Sequence, residues 1–124
     1  MAKTFEDTIV IEVPREIAYQ YIKDWYNITY ESINKYTVLK KSKISINSDK
    51  INECFCYQEK KYWVIVKFEY YFKPVDDTHS KIFYKAIIPW SPLQKLLGQA
   101  NLLGFNSMFK LLEMNYTSFR QHSE

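Results

Sequence analysis

The chain has 124 residues, 47% hydrophobic and 18% aromatic, with eleven Tyr, eight Phe and three Trp. That suits one domain spanning residues 1–124 and excludes a disordered segment, which lacks the apolar surface needed to offset chain entropy. Net charge is a mild +3 from 17 basic and 14 acidic residues, and the lysines are spread along the chain, so no nucleic-acid partner is expected.

Residues 8–13 alternate, with Ile9, Ile11 and Val13 on one face, and read as a strand with one buried side. Pro14 suits the first helical position, and Glu16 follows in the first turn where the helix dipole favours an anion. Ile17, Ala18, Tyr21, Ile22 and Trp25 form an apolar stripe, which predicts a helix of about ten residues. Residues 26–36 are mixed and read either as a second short helix around 29–33 or as a loop.

From Tyr36 to Ile88 the period changes to two, and four strands are predicted. The first covers 37–46, with Val38, Ile44 and Ile46 sharing a face, followed by a polar turn at 47–50. The second covers 51–58, its inner face undetermined, and residues 58–61 make the next turn. The third covers 62–73. Tyr62, Val64, Val66, Phe68, Tyr70 and Phe72 share its inner face, and Lys67 and Glu69 mark the other face as wet. The fourth covers 81–88, with Ile82, Tyr84, Ala86 and Ile88 inward. The Lys-rich stretches 39–43 and 59–63 read as solvated strand faces and a turn, with contact to an anionic membrane surface or RNA as the competing reading.

Pro89 ends the sheet, and Ser91, Pro92 and Gln94 have capping-box spacing for a helix running to about residue 121. Gly98 and Gly104 are expected to weaken or kink its start. Beyond them Phe105, Met108, Phe109, Leu112, Tyr116 and Phe119 form its buried stripe. Strands gathered together with segregated helices predict an α+β fold, and the last helix is expected to cover the sheet alone.

Chemistry-bearing signals are sparse. Cys54 and Cys56 lie at i and i+2 on one strand face, with no further Cys as partner, and read as free thiols in a reducing compartment. His79 and His122 have no triad partners, and with two Gly in all a phosphate-cradling loop has no material. No catalytic residue, metal ligand or cofactor is assigned. The first residues lack an apolar leader core, and no apolar run approaches the roughly 18 residues a membrane span needs, so a cytoplasmic location is expected.

The stretch IVIEVPREIAYQYIKDW, through Pro14, Glu16, Ile17, Tyr21, Asp24 and Trp25, resembles the first strand and helix of the helix-grip superfamily, also called START-like or SRPBCC. The order of the later elements is similar too, although the chain is short for that group. The resemblance implies a curved antiparallel sheet wrapped around a long C-terminal helix, with one or two short helices after the first strand. It also implies a hydrophobic cavity between sheet and final helix that binds a small apolar molecule such as a lipid or polyketide. The inward faces supply Val64, Val66, Phe68, Tyr70, Ile82, Tyr84, Ala86, Met108, Phe109 and Leu112 as walls, with Trp25 and Tyr30 near the mouth. The same aromatics would equally serve as a solid core. The resemblance also implies a polyketide cyclase-like enzyme as an alternative, in which Asp24, Glu31, Tyr30, Tyr70 or Tyr84 handle protons. A third alternative is an interaction or lipid-carrier module without enclosed ligand. Trp63, Ile65 and Tyr71 on the outward strand face would then suit a homodimer.

Overall fold

The computed structural model describes residues 2–36, 43–61 and 63–123, with side chains at 2–30, 43–60 and 63–119. Strand β1 is Lys3–Ile11. It begins five residues before the expected start because Phe5 already supplies an inward side chain. Its odd positions face the core: Phe5 and Ile11 are buried, Ile9 is half-buried, and Val10 is 53% exposed. Val13, just beyond the strand, is fully buried.

Helix α1 runs unbroken through Arg15–Tyr36, 22 residues. It replaces the expected ten-residue helix and its ambiguous sequel. The Pro14 carbonyl accepts from the amides of Ile17 at 3.1 Å and Ala18 at 3.2 Å, so Pro14 takes the cap position and Arg15, rather than Pro14, is the first helical residue. Residues 26–36 contain no Gly or Pro to stop it. Tyr26 and Tyr30, one turn apart, pack on β3, and such tertiary packing rather than propensity extends most helices. The buried face is Ala18, Tyr19 and Ile22; Ile17, expected in the stripe, is 40% exposed. Tyr19 takes the inner place with its ring edge-on to Phe72, centroids 5.9 Å apart.

The remaining strands are β2 Lys43–Lys50, β3 Cys54–Lys61, β4 Val64–Pro74 and β5 Ser80–Ile88. All neighbours are antiparallel, in the order β1-β5-β4-β3-β2. The first hairpin turn is displaced from the predicted 47–50 to 51–53. There Asn52 adopts φ 64°, a left-handed conformation that Asn tolerates better than most residues. Ser48, Asp49 and Lys50 instead continue β2 past a bulge after Ile46. Ile51 is therefore 76% exposed, and Ile46, opposite Tyr57 on the inner face, is still 48% exposed. The N-terminal part of the expected 37–46 strand, with Val38, lies outside the described residues, as does Tyr62. β4 and β5 follow the predicted alternation, with Val66, Tyr70, Phe72, Ile82, Tyr84, Ala86 and Ile88 buried.

Helix α2 is Ser91–Ser123, 33 residues, or about 50 Å at 1.5 Å per residue. Its first bond joins the Gln94 amide to the Trp90 carbonyl at 3.0 Å, and the Gln94 side chain donates to the Ile88 carbonyl at 2.8 Å. The helix continues through both glycines. A Cβ on Gly98 would lie 2.2 Å from the Phe5 ring, so this glycine lets β1 approach closely; around Gly104 there is open space. Phe105, Phe109 and Leu112 are buried and Met108 and Tyr116 half-buried, but Phe119 is 69% exposed, so the buried stripe ends before it.

The cover is shared. α2 packs on β1 and β5, α1 packs mainly on β3 and β4, and the two helices touch. The last helix is thus not the sole lid. Polar ties hold the layers: Asn106 donates to Asp7 at 2.6 Å from α2 to β1, and Lys23 pairs with Asp49 at 3.1 Å from α1 to β2. The Tyr19 hydroxyl also donates to Asp49.

Candidate ligand-binding cleft

Because two helices share one sheet face, a gap opens where they part. It is a cleft of about 640 Å³, bounded by α1, by β3 to β5 and by α2. Tyr21, Trp25 and Tyr30 come from α1, and Tyr57, Glu59, Phe68, Tyr70 and Tyr84 from the sheet. Phe105 and Met108 close the α2 side, while the exposed Leu97, Gly104, Ser107 and Leu111 form the mouth with Asn101. The volume lies in the range of small-molecule sites, roughly 300–1,000 Å³.

Register builds the floor. Tyr57 stands opposite Phe68, and Tyr70 opposite Tyr84, all on the inner face. The Tyr57 and Phe68 rings stack at 5.0 Å and the Tyr84 and Phe105 rings at 4.9 Å. Trp25 meets Tyr30 edge-on at 6.3 Å, and Tyr30 meets Tyr57 at 5.6 Å. These contacts brace the rings against one another, in the offset and edge-on arrangements that aromatic quadrupoles favour.

The polar content is a cluster of phenols, with Tyr30, Tyr57, Tyr70 and Tyr84 lining the same cleft. Burial, which disfavours phenolate, holds Tyr57, Tyr70 and Tyr84 well above the usual tyrosine range and pushes Tyr30 up to about 12. These tyrosines are therefore neutral at physiological pH. Each can donate a hydrogen bond, and none serves as a base there. Glu59 is the acidic side chain lining the cleft.

Of the residues anticipated from sequence, Trp25, Tyr30, Phe68, Tyr70, Tyr84 and Met108 line this cleft. Val66, Ile82, Ala86, Phe109 and Leu112 are instead buried in the core, and Val64 is half-buried against it. The reason is local. Ala86 is small and sits between Phe5 and Phe68 in one cross-strand row, and Phe109 turns under the Tyr21 and Tyr70 rings. Tyr57 and Glu59 escaped the sequence reading because the inner face of β3 was undetermined; pairing Tyr57 with Phe68 would have identified it. The mouth residues of α2 carried no signal, because they lie off its buried stripe.

Asp24 is exposed, accepts from Gln20 at 2.8 Å and does not line the cleft; the side chain of Glu31 lies outside the described residues. Trp63 sits in the turn before β4 rather than in the strand and is 78% exposed. Ile65 and Tyr71 on the outer face are half-buried, and the Tyr71 hydroxyl donates to Glu69. Cys54 and Cys56 are free, buried, and on that same outer side; burial pushes the Cys56 thiol up to about 11. No helix of the described residues is long and apolar enough to cross a membrane.

No protein family and no curated protein matches the sequence. Solved structures do match. Ara h 8.0201 superposes with a TM-score of 0.65 at 14% identity, over 95% of this chain and 99% of that one. The chain has the helix-grip fold. An HSP90 activator from Plasmodium falciparum shares it at TM-score 0.55 and 17% identity, over 71% of this chain and 75% of that one. A Polyketide_cyc-like protein from Corynebacterium glutamicum shares it at TM-score 0.51 and 13% identity, over 98% and 86%. At these identities the likeness is one of fold. Within the helix-grip fold the sheet and long helix stand as the opening stretch implied, while α1, β1 and β2 depart in length from expectation.

Proposed function

We propose that the cleft binds a small, largely apolar molecule bearing one or more hydrogen-bond acceptors. The observation that carries this reading is the set of neutral tyrosine hydroxyls at the base of an aromatic cleft of about 640 Å³. Aromatic walls favour a flat apolar body, and phenol donors favour a carbonyl, ether or phenolic oxygen on it. A reducing, cytoplasmic setting fits the two free buried thiols.

A cyclase-like enzyme is the second reading, favoured by Glu59, a carboxylate that lines the cleft together with the Tyr30 phenol. The homodimer through the outward strand face has less support, since it would set one lysine-rich sheet face against another.

The test is native mass spectrometry of protein purified from cells, followed by extraction, with Gly104→Phe as comparison. Gly104 has open space around it at the mouth, so a large side chain there narrows the entrance without touching the core. A bound apolar molecule in the wild type that is depleted at least tenfold in Gly104→Phe is expected. Equal occupancy in both proteins would place the molecule elsewhere and overturn the reading.

A further inference from the structure

The strand register gathers on one face a charge that the sequence scatters. On the outer side of the sheet, Lys73 stands directly opposite Lys81, and Lys43 opposite Lys60. Lys50, Lys67 and Lys85 share that side, making seven lysines against two carboxylates, Glu6 and Glu69, among the described strand residues. These described residues give the face +5, where the whole chain carries +3. Like charges directly opposite in a sheet are destabilising. Two such lysine pairs on one face are a local cost that folding alone does not require, and such costs concentrate where a surface has another task.

The centre of the face is aromatic. Tyr71 and Phe83 are direct cross-strand partners on β4 and β5, both half-buried. The ammonium groups of Lys73 and Lys81 lie 5.3 and 5.2 Å from the Phe83 ring centre. A depression of about 400 Å³ beside Phe83 is bordered by Glu6, Thr8 and Lys85.

We infer that this outer sheet face binds single-stranded nucleic acid, with Tyr71 and Phe83 stacking bases and the flanking lysines taking phosphates. Alternate residues on a strand are spaced about 6.7 Å apart and neighbouring strands about 4.8 Å, so Lys73 and Lys81 lie one row from the two rings on one side, and Lys85, between Glu6 and Glu69, one row away on the other. An extended polyanion can follow such rows. Stacking on sheet aromatics within a basic groove is a general mode for unpaired bases. A duplex hides its base faces, and this sheet face presents no helix to enter a groove. A bilayer is engaged by apolar side chains that project beyond the charges, whereas Tyr71 and Phe83 are sunk among them. A second copy of the chain would meet a like-charged face.

Fluorescence anisotropy with labelled oligouridine, with a duplex of the same length, and co-sedimentation with phosphatidylserine vesicles test this. The single strand should bind more tightly than the duplex and than the vesicles. Lys73→Gln with Lys81→Gln should weaken binding and flatten the log–log salt dependence by about 1.4, at about 0.7 per phosphate lost. Phe83→Leu should weaken it about tenfold with the salt dependence unchanged, as loss of one stacked base would. Tyr71→Leu provides the same reading should Phe83→Leu fold poorly by circular dichroism. Wild-type affinity in both leucine variants, or equal binding of duplex and single strand, would overturn the proposal. So would vesicle binding without oligonucleotide binding, or no binding at low salt.

Discussion

Ser80 is fully buried at the start of β5, and its hydroxyl donates to the Val13 carbonyl at 2.8 Å. Val13 lies in the segment between β1 and α1, so this bond ties the helix entry to the sheet. Ser80→Ala removes the donor and leaves a buried carbonyl unsatisfied, which costs about 1–3 kcal/mol. Urea denaturation should show a lower midpoint with an unchanged slope; an unchanged midpoint would mean that water reaches Val13. Tyr57 is the comparable residue at the cleft. It stacks on Phe68 and meets the rings of Tyr30 and Tyr26. A reading of the chain by alternation could not select it, because Cys54, Phe55, Cys56 and Tyr57 are all buried although they alternate between the two faces of the sheet. Small thiols fill the outer side while aromatics fill the inner one, so hydrophobicity alone does not distinguish the faces.

At the scale of elements, α2 sets two glycines in opposite surroundings. Gly98 is buried against the Phe5 ring, and Gly104 is exposed at the cleft mouth. Gly98→Ala forces the ring aside and should destabilise by about 1–3 kcal/mol through overpacking. Gly104→Ala meets no neighbour and should stabilise by about 0.5–1 kcal/mol through helix propensity. Thermal melts of the two variants should shift in opposite directions; shifts of the same sign would contradict the packing of α2 on β1. Both glycines were visible in the sequence as weak points, and their equivalence was an artefact of one dimension. α1 teaches the converse. Its first turns were legible from Pro14, Glu16 and the apolar spacing, but its second half was not. Tyr26 and Tyr30 are held by Phe55 and Tyr57, which lie about thirty residues away in the chain.

At the scale of the whole molecule, the buried phenols couple stability to alkaline pH. Tyr30, Tyr57, Tyr70 and Tyr84 all have pKa values raised in the folded state above the ordinary tyrosine value of about 10. The unfolded chain therefore loses these protons first as pH rises. The stability contributed by neutral burial is fully present below about pH 10 and is lost as pH climbs through about 12, the value to which Tyr30 is pushed. The phenolate absorbance of the cleft tyrosines should rise together with loss of the circular dichroism signal. A single smooth titration with the fold intact would show that the cleft is open to hydroxide.

Period-two runs at β4 and β5, a turn-started first helix and a long amphipathic final helix are properties of neighbouring residues, and the sequence by itself determined them. These local periodicities were sufficient for an α+β fold, while the helix-grip arrangement was implied by the resemblance of the opening stretch. The tertiary structure alone decided which faces became cleft and which became core, because that depends on where α1 and α2 part above the sheet. It alone also decided that seven lysines dispersed between positions 43 and 85 would share one surface. Charge adds across strands through space, and cross-strand register is a relation between distant segments that no local pattern contains.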